Sequence, residues 1–172
     1  EGPNVPPHRL EKSKIVESLF NLYLKYISAN PSVKCLVKGL GFMFLCHPKY
    51  LLQAHESKIL DQLLQTSALE TIVNLSNVLC EEQNRLERIT TVAITSAKQV
   101  AGDQEGEATV IGGIMQAQLA RILRLCMDKD TNLRVESLKL VGLLLTQGLI
   151  SPLVCVPTLV ALETDHEVRI RE

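Results

Sequence analysis

From Ser13 onward, apolar residues recur three and four positions apart, the spacing that places them on one face of an α-helix. Ile15, Val16, Leu19, Phe20, Tyr23, Tyr26 and Ile27 form the first stripe. Asn30-Pro31 breaks it and predicts a fresh start, with Asn30 as N-cap and Pro31 in the first turn. The second helix carries Val33, Leu36, Val37, Leu40 and Phe44. It ends at His47-Pro48, where proline cannot continue the hydrogen-bond ladder. Gly39 and Gly41 lie inside it; a mid-helix glycine costs about 1 kcal/mol relative to alanine, which close approach of a neighbouring helix offsets. A short turn at 49–54 leads into a third helix over 56–65, with Ile59, Leu60, Leu63 and Leu64. Thr66-Ser67 opens a fourth, with Leu69, Ile72, Val73, Ser76 and Leu79, continued by the polar stretch 81–88 as a solvated extension. Small, acidic and glycine-containing residues around 90–109 predict a surface insertion. Three further helices follow: 110–128, 131–147 with Gly148 as its stop, and one starting at Ser151-Pro152 that Pro157 should kink or shorten. Asp165 opens an eighth.

Four of these starts share one pattern: a short polar residue, two variable positions, an apolar residue and a fifth, usually basic. They are Asn30-Pro31-Ser32-Val33-Lys34, Thr66-Ser67-Ala68-Leu69-Glu70, Asp130-Thr131-Asn132-Leu133-Arg134 and Asp165-His166-Glu167-Val168-Arg169. Their first residues are 36, 64 and 35 positions apart. A period near 36 fits one antiparallel helix pair, and the wide gap holds the insertion. This layout predicts an all-α solenoid of HEAT type, about four helix pairs over 13–172 behind a proline-rich lead-in at 1–12. In the motif, Asn30, Asp130 and Asp165 are expected to cap new helices. Val33, Leu133 and Val168 are expected to pack into the pair. The basic residue, as at Arg134 and Arg169, is expected to reach an acidic cap of the preceding repeat.

Composition agrees with helices that must stack. Apolar residues make up 46 % of the 172, yet there is no Trp and only three Phe and three Tyr, so Leu, Val and Ile must build the core. A net charge of −1 gives no bulk attraction to nucleic acid or membrane. No apolar run is long enough to predict a membrane span. Five scattered cysteines, with no Cys-x-x-Cys pair, read as buried reduced thiols of an intracellular protein. The amino-terminal residues carry no basic and apolar signal pattern, and both ends read as those of a piece of something longer.

Catalytic chemistry is not apparent. His8, His47, His55 and His166 fall in separate segments without metal-ligand spacing. Asp128-Lys129-Asp130 resembles the start of a calcium loop but has Leu133 where that loop requires glycine, so capping explains it better. Gly112-Gly113 lacks the Gly-Lys-Ser/Thr of a phosphate loop and reads as a loop-to-helix junction. The reading is therefore a binding scaffold, not an enzyme, with no cofactor and no metal. Lys34, Lys38, Arg134 and Lys139, on second helices of repeats, are the candidates for touching DNA or a partner; Arg121 and Arg124 on a first helix are weaker ones. Without interleaved aromatics, DNA contact would be to phosphates and independent of sequence.

The stretch Gly148-Leu149-Ile150-Ser151-Pro152-Leu153-Val154-Cys155-Val156-Pro157, with Thr146-Gln147 before it and Thr164-Asp165 after it, resembles the C-terminal HEAT region of the Nipped-B-like cohesin loaders. Gly39-Leu40-Gly41-Phe42 with His47-Pro48, then Glu81-Glu82, then Ile114-Met115-Gln116 fall in the same order, so the resemblance spans roughly 14–172. It departs over 89–113, lacks an aromatic near Gln118–Leu119, and has Thr158 where the family tends to have Tyr. The resemblance implies a nuclear, chromatin-bound loader that engages the cohesin ATPase heads, the kleisin and DNA and stimulates ATP hydrolysis by cohesin. Its partner subunit would bind outside this chain, and no membrane is involved. The alternative is a HEAT scaffold of another class, serving nuclear transport or a phosphatase; transport scaffolds favour Trp and Asn ladders, and this chain has no Trp.

Overall fold

The computed structural model describes residues 7–95 and 104–171, and every regular element among them is helical. In order they are α1 (Pro7–Ala29), α2 (Lys34–Cys46), α3 (Lys49–Glu56), α4 (Ile59–Thr66), α5 (Ala68–Thr95), α6 (Gln104–Leu125), α7 (Thr131–Thr146), α8 (Pro152–Leu162) and α9 (Val168–Arg171). They form two layers. One layer stacks α2, α5, α7 and α9 in sequence; the other runs from α1 over α3 and α4 to α6. Three helices of the first layer pack on the one before them in the chain, α2 on α1, α5 on α4 and α7 on α6. The chain is thus an all-α solenoid segment, its repeats made of helix pairs.

The core runs unbroken along the interlayer space. Phe20 and Ile27 of α1, Leu40 and Phe44 of α2, Tyr50 and Leu51 of α3, Leu60 and Leu63 of α4, and Ile72, Leu75 and Leu79 of α5 are buried together. It continues through Met115, Ile122 and Cys126 to Leu140, Val141 and Leu144. At the end of the segment, α8 is apolar but for Thr158, yet of its residues only Cys155 and Leu162 are buried, and Leu153 is 81 % exposed. A helix pair has two apolar faces and buries both only between neighbours.

The two unusual glycines of α2 are explained by packing. A Cβ on Gly39 would lie 2.6 Å from the Tyr23 ring of α1, and one on Gly41 would lie 2.2 Å from Asn74 Oδ1 of α5. The missing side chains let α1 and α5 approach on opposite sides. At the end of α7, Gly148 takes φ 68°, the left-handed conformation that glycine adopts without steric cost. There Leu149 N–H donates to Leu144 O at 3.0 Å and Gly148 N–H to Leu145 O at 3.1 Å, closing the helix with the 6→1 and 5→2 pair of a Schellman stop.

Several expectations need correction. Residues 7–12, read as lead-in, belong to α1, where Pro7 supplies a first residue that needs no N–H partner. Residues 1–6 lie outside the described residues. The turn expected at 49–54 is the helix α3, because Tyr50, Leu51 and Ala54 already have helical spacing and are buried. It is separated from α4 at Lys58, whose φ of 59° is left-handed without glycine. The insertion expected at 90–109 is helical on both flanks, since α5 runs to Thr95 and α6 starts at Gln104; residues 96–103 lie outside the described residues. Gly112-Gly113 lies inside α6 and is no junction; a Cβ added at Gly112 would meet Leu149 at 3.1 Å. Pro157 neither ends α8 nor shortens it before Leu162.

Candidate partner-binding surface

The helices of the first layer run parallel, and polar bonds join them in register. Between α2 and α5, Ser67 Oγ donates to Pro31 O at 2.7 Å, Lys34 Nζ lies 2.9 Å from Glu70 Oε1, and Asn74 Nδ2 donates to Val37 O at 2.8 Å. These pairs are 36, 36 and 37 residues apart. The repeat period of the motif is therefore the register of the seam. Between α5 and α7, Gln147 Nε2 donates to Leu79 O at 3.3 Å and to Gln83 Oε1 at 3.2 Å. Between α7 and the start of α9, Arg134 Nη2 and Nε each lie 2.9 Å from the two carboxylate oxygens of Asp165. The guanidinium fork faces the carboxylate, with Nη2 hydrogen-bonded to Oδ1 and Nε an ion-pair contact to Oδ2 outside hydrogen-bond alignment.

Those bonds assign the basic candidates to different roles. Arg134, 15 % exposed at its side chain, also donates to the carbonyls of Asp128 and Lys129, and its fork is turned inward to Asp165. It belongs to the seam and offers no free charge to DNA. Lys34 is exposed but held by Glu70, and the hydrogen bond to that carboxylate keeps its ammonium above its ordinary value. Burial pushes the Glu70 carboxyl up, but Lys34 and the charge of Lys38 outweigh it and hold the group below its usual range. Lys38 is exposed and forms no ion pair among the described residues. Lys139 pairs within its own helix with Glu136 at 2.7 Å. The four do not converge: Lys34 and Lys38 share α2, Arg134 and Lys139 share α7, and α5 lies between.

The motif residues divide likewise. Asp130 caps α7, its Oδ1 accepting from Asn132 N–H at 2.9 Å, and Asp165 Oδ1 accepts from Glu167 N–H at 2.9 Å. Asp128 Oδ1 accepts from Asp130 N–H, so the calcium-like triplet consists of successive capping turns. The Asp165 carboxyl sits below its ordinary value because of the Glu167 N–H first and Arg134 second. Leu133 is buried. Asn30 does not cap: Val33 is the N-cap of α2, and Asn30 enters a turn in which its carbonyl accepts from Val33 N–H at 3.3 Å. Because α2 starts later than expected, Val33 stands ahead of its first turn and is 40 % exposed. Val168, the first residue of α9, is 49 % exposed. Arg169 pairs with its own neighbour Glu167 at 2.8 Å. Where the basic position does cross a seam, at Lys34 and Arg134, it reaches the following repeat and not the preceding one. The next start lies beside it in the stack.

The seam residues that sequence reasoning missed are Ser67, Asn74 and Gln147. The signal for Asn74 was present: a polar residue on an otherwise apolar face, one period beyond Val37. Gln147 spans the rim of an apolar cavity of about 360 Å³ lined by Leu79, Glu82, Gln83, Leu86, Ile111, Thr146, Gln147 and Leu149. Glu82, read as part of a solvated extension, is buried in that wall.

Of the five cysteines, Cys126 and Cys155 are buried, and Cys35, Cys46 and Cys80 are exposed. Adjacency to Leu or Val does not fix a helical face, because successive side chains point about 100° apart. Burial, with the nearby Cys155 adding to it, pushes the Cys126 thiol up to about 12. Among the described residues no three His, Cys, Asp or Glu side chains gather closely enough to hold a metal ion, and no helix is long and apolar enough to cross a membrane.

Known sequences carry the same pattern. Residues 111–172 match the model of the Nipped-B sister chromatid cohesion C-terminus. Over 168 residues, 93 % of this chain, it is 28 % identical to the Nipped-B-like proteins of Mus musculus and Homo sapiens. Over 170 residues it is 29 % identical to Nipped-B-like protein A of Danio rerio. The chain spans 6 % of the length of the first two and 7 % of the third. With its helical repeats in register along the same stretch, the chain is similar to the Nipped-B-like sister chromatid cohesion proteins, over residues 111–172 to the model of their C-terminus and over 93 % of its length to the proteins themselves.

Proposed function

We propose that this chain is a scaffold segment of a cohesin loader, acting on chromatin in the nucleus. In this reading the solenoid shapes a surface that engages the cohesin ATPase heads and the kleisin, and that touches DNA phosphates without reading sequence. It stimulates the ATPase of cohesin, whose chemistry resides in cohesin and not in this segment. The similarity to Nipped-B-like proteins across 93 % of the chain carries the reading. The repeat geometry supports it, because a stack of parallel helices presents a continuous face to large partners.

The test is co-purification of the full-length parent protein with the cohesin heads and kleisin; binding to neither sinks the loader reading. DNA binding is tested by salt titration with Lys34, Lys38 and Lys139 changed to Glu. Each phosphate that a lysine ceases to neutralise should lower the slope of log affinity against log salt by about one. An unchanged slope removes these lysines from the DNA-binding surface. Arg134 is left out of that test, since its side chain is only 15 % exposed within the seam to Asp165, whereas that of Lys34 is 72 % exposed at the edge of its own.

A further inference from the structure

On the other layer, where α6 passes the α3–α4 corner, a polar notch of about 320 Å³ is lined by His55, Asp61, Ala117, Gln118, Ala120, Arg121 and Arg124. Its floor is an ordered relay. Gln118, 3 % exposed, donates from Nε2 to Asp61 Oδ1 at 2.7 Å and lies 3.2 Å from His55 Nδ1. Asp61 in turn is ion-paired with Arg121. A buried amide thus fixes a carboxylate, and the carboxylate fixes a guanidinium that is still partly exposed.

Arg124 stands one turn further along α6, exposed, and forms no ion pair among the described residues. The helix provides no acid for either arginine. The positions four residues before Arg121 and Arg124 are Ala117 and Ala120, where a solvated helix commonly places Glu to pair with the base that follows. Asp128, four residues after Arg124, lies past the end of α6, and its Oδ1 is taken by the Asp130 N–H. The two alanines also create the depression, since longer side chains there would fill it.

From this geometry we propose that the notch is a docking site for a carboxylate side chain of an acidic peptide segment in a protein partner. Paired guanidinium groups recognise a planar oxyanion by forked hydrogen bonds. Asp61 neutralises Arg121, so among the residues lining the notch Arg124 is the charge in excess: enough for a single carboxylate, too little for a polyanion. DNA is held by a succession of cations along its backbone, and the notch offers one. The site stands apart from the loader reading, because it rests on the notch alone.

The test uses the full chain and a short fluorescent peptide carrying a single glutamate among neutral residues, with a DNA duplex as the competing ligand. Arg124→Glu should weaken peptide binding roughly tenfold or more, as expected for loss of a charge-assisted fork. Lys25→Glu, the same charge change at an exposed site on α1, should leave it unchanged. Ala120→Glu keeps every cation and places a carboxylate four residues before Arg124, where it pairs in cis and should weaken the peptide by a similar factor. Both α6 positions are exposed, so the fold is retained, as circular dichroism will show. Failure of the peptide to bind, equal losses in R124E and K25E, or full affinity in A120E overturns the proposal. So does a loss confined to the DNA duplex.

Discussion

Among the described glycines, Gly41 is the one at which an added side chain would lie nearest a neighbour. Gly41 lets Asn74 reach the Val37 carbonyl, and a methyl group there would lie 2.2 Å from Asn74 Oδ1. Gly41→Ala should therefore destabilise the chain by about 1–3 kcal/mol, overpacking outweighing the gain in helix propensity. Asn74→Ala alone should cost about 1 kcal/mol for the missing hydrogen bond. The double variant should be clearly less damaged than the sum, because removing the amide makes room for the methyl. Additive losses in urea unfolding would show that the two residues do not meet. The glycine pattern was legible in the sequence as a sign of close approach. Which helix approaches was not, because that depends on stacking one period away.

At the scale of elements, apolar spacing disclosed most of the helices, and the cap at Asp130 followed from residue type alone. The split between α3 and α4 was hidden, because nothing at Ser57-Lys58 marks a left-handed residue. Lysine at φ 59° carries a steric cost that glycine does not. Lys58→Gly should accordingly raise stability by about 0.5–1 kcal/mol, seen as a higher urea midpoint with an unchanged m-value. A lower midpoint would show that Lys58 is held by something other than backbone geometry. The basic candidates were the least legible part. Residue type and helical position marked Lys34, Lys38, Arg134 and Lys139 alike, yet what each charge faces is set by the neighbouring repeat. Arg134 was expected to reach an acid of the preceding repeat, whereas its acid lies 31 residues further along the chain.

At the scale of the whole molecule, the seams make neighbouring repeats depend on each other. Arg134→Glu or Asp165→Arg alone should lower the melting temperature, and the exchanged pair should recover part of the loss; no recovery would deny the fork its role. The seam also has a pH signature. The Asp165 carboxyl lies below its ordinary value of 3.8, so its contribution is complete above that value and is lost as pH falls through the lower folded value. The melting-temperature difference between the native chain and Asp165→Asn should be constant near neutrality and shrink below about pH 4. A difference independent of pH would exclude the charged pairing. The placing of the α2–α5 bonds has a mechanical consequence. All three fall just ahead of the two helices or within their first two turns, while beyond Gly41 the helices touch through apolar side chains. Hydrogen bonds are short and directional, whereas apolar packing tolerates sliding. Under load, this joint should resist shear at its pinned end and yield by fanning at the other, as a leaf spring clamped at one end does.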